Sequence, residues 1–176
     1  MARTDAILVA HRNVRLVLPL PGSFEDAVDR YERLVPVQDS STVAELVRRK
    51  ASWEAVIAQA EENAPHGFMI FWRNEVTPTM RLAGDGWPCV TYLMGNHTIA
   101  QRMFHYNPAV MLSAPLRTVI CQDASGIVTL QVDQPSSRFG SYNDPEIAAV
   151  GRELDSKLAA LLKALGAAVP PQLYGE

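Results

Sequence analysis

The stretch "NDPEIAAVGRELDSKLAALLKALG", Asn143 to Gly166, limits the possible folds more than any other. Asp144 is a residue type that caps helices, and Pro145 then takes the first helical position, where a missing N–H costs nothing. Ile147, Val150, Leu154, Leu158, Leu161, Leu162 and Leu165 recur at helical spacing up to Gly166. The spacing predicts one long helix with a continuous apolar stripe. Such a stripe must be covered by a second layer, so the strands elsewhere in the chain have to form a sheet beneath it.

Those strands are legible. In "NVRLVLPLPGSFEDAVDRYERLV", Val14, Leu16, Leu18 and Leu20 alternate as in a strand, Pro21-Gly22 ends it, and Ser23 caps a helix with an acidic first turn. Phe24, Ala27, Val28, Tyr31 and Leu34 make its stripe. "TVAELVRRKASWEAVIAQAEENAPHG" is read as one further helix, with Thr42 and Glu45 at capping-box spacing and Pro65 and Gly67 closing it. "GFMIFWR" is apolar on both faces and is expected as an interior strand. "TPTMRLAGDGWP" is expected as a loop, "CVTYLM" as a strand, and the stretch after Gly95-Asn96 as a short helix that starts near His97 and is ended by Asn107-Pro108. "PLRTVIC" and "IVTLQVD", joined by "QDASG", make a hairpin, and "DQPSSRFGSYND" is expected as a loop. The order predicts an α+β fold of two layers, an antiparallel-rich sheet with helices on one face. A length of 176 residues suits a single domain, 1–176, with 37–66 as an added helical insertion.

Composition removes whole classes of function. A formal charge of −3 gives no basic stripe for phosphates, so nucleic acid is not an expected partner. No apolar run reaches the roughly 20 residues of a membrane span. "MARTDAILVAHRNVRL" is too charged, and its apolar stretch too short, for a secretory signal, and a cytoplasmic protein is expected. Cys89 and Cys121 lack metal-type spacing and are expected as reduced, buried thiols.

Candidate chemistry gathers in "YLMGNHTIAQRMFHYNP". His97, Gln101 and His105 are spaced to share one helix face, with Arg102 at its edge. An imidazole titrates near neutral pH, and arginine grips carboxylates or phosphates. Asp133 ends a strand, and Arg117 lies on the adjacent strand, as a ligand pair or a structural ion pair. The bland reading makes His97, Gln101 and His105 a solvated face and Asn96 a cap. "GFMIFWR", Tyr92, Met94, Met103 and Met111 read first as core and second as the lining of an apolar cavity between sheet and helices.

His97 and His105 lie two turns apart and cannot grip one metal ion from a straight helix, so no metal site is expected. No cofactor is predicted either; a haem held by one axial histidine stays as an alternative. No GxSxG elbow or HExxH frame occurs.

Taken together, "YLMGNHTIAQRMF", "NPAVMLSAPLRTVIC", "DQPS" and "NDPEIAAVGRELDSKLAALLKAL" resemble the DUF302 family, small domains of unknown function. The resemblance is good over Gly67 to Leu165 and looser over Val14 to Leu34. It implies a β-α-β-β-α-like two-layer fold, often paired as a homodimer, and no particular reaction. Two departures stand out: the inserted helical segment, and His97 where the family generally has proline after Gly-Asn.

Three functions follow as expectations. The first is binding of a small acidic or partly apolar organic ligand, with Asn96, Arg102, Arg117 and Tyr92 as contacts. The second is a cofactor-free isomerase, lyase or cyclase using His97 or His105 as general base and Asp133 as its partner. The third is a non-catalytic module that dimerises through a sheet edge or the helix around Trp53.

Overall fold

Alternation along the strands decides which face of the sheet is covered. In the computed structural model, which describes residues 5–175, five antiparallel strands lie in the order β1-β5-β4-β3-β2. They are β1 (Arg15–Pro19), β2 (Met69–Glu75), β3 (Cys89–Gly95), β4 (Leu116–Gln122) and β5 (Val128–Asp133). Leu16 and Leu18, Val132 and Leu130, Thr118 and Ile120, and Tyr92 and Val90 stand opposite one another across the strands. All are buried, so this face is the floor of the core. The opposite face carries Val17, Gln131, Val119, Arg117, Leu93 and Trp72, with Val17 and Trp72 largely exposed. The reading of the first residues as no secretory signal rests partly on 1–4, outside the described residues.

The helices α1 (Phe24–Leu34) and α7 (Pro145–Leu165) cover the floor. The stripe of α7 is buried from Ile147 to Leu165, and Gly166 ends the helix in the left-handed region that glycine adopts without strain. Ser23 and Asp26 form a capping box on α1. Among the described residues no helix is long and apolar enough to cross a membrane.

Four local expectations are corrected. In place of one helix from Thr42 there are two, α2 (Ser40–Arg48) and α3 (Trp53–Asn63), broken where Lys50 turns to φ 52°. Asp39 and Ser52 are the caps, and Thr42 donates to Asp39 instead of capping. β2 is an edge strand, its last four residues exposed; its apolar start is buried because α3 sets Ala60 and Ala64 against Met69 and Phe71. Two expected loops contain single helical turns, α4 (Thr77–Arg81) and α6 (Pro135–Phe139), each begun by a proline at the first or second position. The cysteines are half-buried on the open face of the sheet, not in the core.

Asp155 ties α6 to α7. This buried carboxylate on α7 accepts from the Ser136 backbone N–H at 2.9 Å and from Gln134 Nε2 at 2.8 Å, capping the short helix from outside. Gly151, one turn earlier, lets α6 approach: an added Cβ would sit 3.1 Å from both Phe139 Cβ and Ser136 Cα. Phe139 is thereby held fully buried beneath α7, lining one cavity with the short helix α5 (His97–Phe104).

Candidate functional site

A cavity of about 230 Å³ opens between α5, the ends of β3 and β4, and the α6–α7 pair. Phe68, Phe71, Ile99, Met103, Leu116, Phe139 and Leu154 give it an almost wholly apolar wall, and Gly95, Ala100, Ala114 and Pro115 keep it open. Two local devices shape it. Gly95 allows Pro115 to close in, since a Cβ there would lie 3.3 Å from Pro115 Cβ. In β2 the register slips between Ile70 and Trp72, leaving Phe71 without a cross-strand partner. This bulge frees Phe71 to line the cavity, where its ring stands edge-on to His97 with centroids 6.3 Å apart.

His97 is the one imidazole in that wall. Asn96, in extended backbone conformation, accepts from the Thr98 N–H at 2.9 Å and the Thr98 hydroxyl at 2.7 Å, and so starts α5 at His97. His97 therefore occupies the first helical position, where its backbone N–H needs no helical partner. Its ring is another matter. Both Nδ1 and Nε2 are out of solvent and neither has a hydrogen-bond partner. Burial lowers its pKa, so the ring is neutral at pH 7, with one N–H to donate and one lone pair to accept. Leaving such groups unpaired costs about 1–3 kcal/mol.

The remaining expected residues divide among other places. Asn96 lines the cavity, but its side-chain oxygen is committed to Thr98. Arg102 faces outward and pairs with Glu153 at 2.7 Å. His105 is exposed at the end of α5, edge-on to Tyr106, and with Gln101 and Arg102 borders a surface groove against α7. Arg117 and Asp133 both line a polar notch behind the Ala114–Leu116 segment, without pairing to each other. There Asp133 pairs with Arg138 at 3.3 Å and Arg15 at 3.7 Å, so the expected Arg117–Asp133 bridge gives way to these two. Tyr92 is buried in the core, its hydroxyl donating to Glu32 Oε1 at 2.8 Å; Arg73 Nε donates to the same oxygen at 2.7 Å. Its ring lies 4.8 Å from that of Tyr31, whose hydroxyl meets Thr118 and Met94. Trp53, 42% exposed, borders a wide groove between α3, α5 and α7.

Reading of the sequence missed the bulge at Phe71, along with Phe139, Ala114 and Pro115 as walls. The alternative reading of the apolar and methionine positions as a cavity lining does include Phe68 and Phe71. Among the described residues no group of three or more His, Cys, Asp or Glu is placed to hold a metal ion.

An antiparallel sheet with helices on one face and an apolar cavity opening at one end defines a two-layer α+β fold. The family model for DUF302, a domain of unknown function, matches residues 45–165, and the chain belongs to that family. The fold is similar to a crystal structure of an uncharacterized conserved DUF302 protein from Bacillus stearothermophilus. That likeness has a TM-score of 0.62 at 19% identity, over 86% of this chain and 97% of the other. A comparison with curated proteins finds no match.

Proposed function

We propose that this chain binds a small, uncharged, mostly apolar molecule in the cavity beside α5, with His97 as its polar contact. The observation that carries the reading is the pair of solvent-shielded, unpartnered nitrogens on a half-buried, neutral imidazole in an otherwise apolar wall. A hydroxyl or ring N–H on the ligand, met by a small turn of the imidazole, relieves that deficit, and the hydrocarbon wall supplies the remaining affinity.

Size narrows the class. A cavity of about 150 Å³ holds benzene, and drug-sized pockets begin near 300 Å³. At about 230 Å³ this one suits a one- or two-ring molecule and favours it over a haem. Charge narrows it again, because the wall contains no arginine or lysine to offset a carboxylate. The expected acidic ligand thus loses its support, and Arg102 and Arg117 have no part in this reading. Binding is also favoured over general-base catalysis. No carboxylate among the described residues hydrogen-bonds to His97, and Asp133, the expected partner, is taken by Arg15 and Arg138.

The test is calorimetric titration with phenol, indole and benzoate, on the wild type and on Ala100→Leu, which fills the cavity from its wall. The reading predicts that phenol or indole binds the wild type more tightly than benzoate, and that Ala100→Leu removes binding while keeping the fold. It is overturned if neither neutral probe binds, or if Ala100→Leu binds them equally well.

A further inference from the structure

The open face of the sheet holds a second chemical feature, independent of the cavity. Cys89 on β3 and Cys121 on β4 stand directly opposite each other. The type of pairing follows from the backbone. Gln122 N–H donates to Pro88 C=O at 3.1 Å, so Pro88 and Gln122 are the hydrogen-bonded neighbours. The backbone N–H of Cys89 instead turns away, to Thr77 Oγ1 at 2.8 Å, and its C=O accepts from Val76. Cys89 and Cys121 are therefore a non-hydrogen-bonded pair, the position at which facing side chains come closest, with Cα atoms typically about 4.5 Å apart. That spacing falls within the roughly 4.4–6.8 Å a disulfide spans.

We propose that Cys89 and Cys121 form a cross-strand dithiol that is converted to an intramolecular disulfide by low-molecular-weight disulfides of the glutathione class. Both side chains are half-buried rather than sealed in the core, so an oxidant has access. Cys121 Sγ lies 3.5 Å from Thr129 Oγ1 and 3.6 Å from Gln131 Nε2, polar neighbours able to solvate a sulfur that carries charge. Burial, and then the neighbouring Cys121, raise the pKa of Cys89, which fits two sulfurs close enough to sense one another. In the first step one cysteine thiolate attacks the oxidant's S–S bond, forms a mixed disulfide and expels one small thiolate. In the second, the other cysteine attacks the protein-bound sulfur and expels the second small thiolate. Two protein thiols are oxidised, one small disulfide is reduced to two thiols, and the two protons pass to the released thiolates.

The linkage would close the segment 89–121, which carries α5, His97 and the Pro115 wall. A constraint of that kind lowers the freedom of the unfolded chain and raises the Tm of the oxidised protein.

The experiment treats reduced full-length protein with excess oxidised glutathione, quenches in acid, alkylates remaining thiols, and reads intact mass and a non-reducing peptide map. The expected product is a monomer lighter by two hydrogens, refractory to alkylation, with Cys89 and Cys121 peptides joined and a raised Tm. Cys89→Ser and Cys121→Ser should each stop at one glutathione adduct. The proposal is overturned if the wild type stays alkylatable at both positions, retains stable glutathione adducts, or cross-links between chains.

Discussion

His97 is a residue at which the fold gives up stability. A buried ring with two unpaired nitrogens is worse for folding than an apolar ring in the same place. His97→Phe should therefore raise stability by about 1 kcal/mol in a denaturant titration while removing binding of phenol and indole, the usual opposition between a prepared site and a stable one. A gain in stability with binding intact would mean that the imidazole takes no part. The sign of the pH dependence follows from the same burial. The folded pKa lies below the ordinary 6.5, so the unfolded chain takes up the proton first as pH falls. Stability tied to neutral His97 is complete above pH 6.5 and is lost as pH drops from there through the lowered folded value. Denaturation midpoints of the wild type should thus fall relative to His97→Phe below that pH, and run parallel to it above.

At the scale of elements, the site depends on a short helix that has little reason to form alone. α6 is five residues long and has no side-chain cap of its own; Asp155 supplies one from α7. Asp155→Ala strands the Ser136 N–H and leaves Gln134 Nε2 only its longer bond to the Gln172 C=O at 3.4 Å, and should cost about 2 kcal/mol by thermal or denaturant unfolding. A cost near zero would show that α6 is held by Phe139 packing alone. This coupling explains what the sequence could and could not reveal. The stripe and caps of α7, the Ser23 cap and the alternation in β1 and β5 are local signals, and they state their own structure. "DQPSSRFGSYND" looks like a loop because its helical turn is capped by a residue about twenty positions later in the chain. The single helix expected over 42–62 fails at Lys50 for a related reason: its apolar spacing continues through a backbone turn that leaves no mark in periodicity. "GFMIFWR" was doubly apolar because α3 and a bulge cover its first half, not because the strand is central.

At the scale of the whole molecule, the candidate site was legible as a place more than as a list. Gly95-Asn96 and the following helix do bring a histidine to a cavity at the end of the sheet. The polar groups expected to join it are dispersed by strand register and helix phase. Arg117 and Asp133 fall on the far side of Pro115, Tyr92 in the central core, and Arg102 and His105 on the outer surface. Period-two and period-3.6 patterns assign faces but not the neighbours across a cavity, so the juxtaposition of Phe139 with Phe68 and Phe71 emerges only once the layers are assembled. The most direct measurement is the nitrogen-15 spectrum of the histidine rings at pH 7, with and without saturating indole. The account predicts a neutral His97 whose ring nitrogens alone shift when indole is added, with His11, His66 and His105 unmoved. A charged His97, or indole shifts at His105 with none at His97, would contradict it.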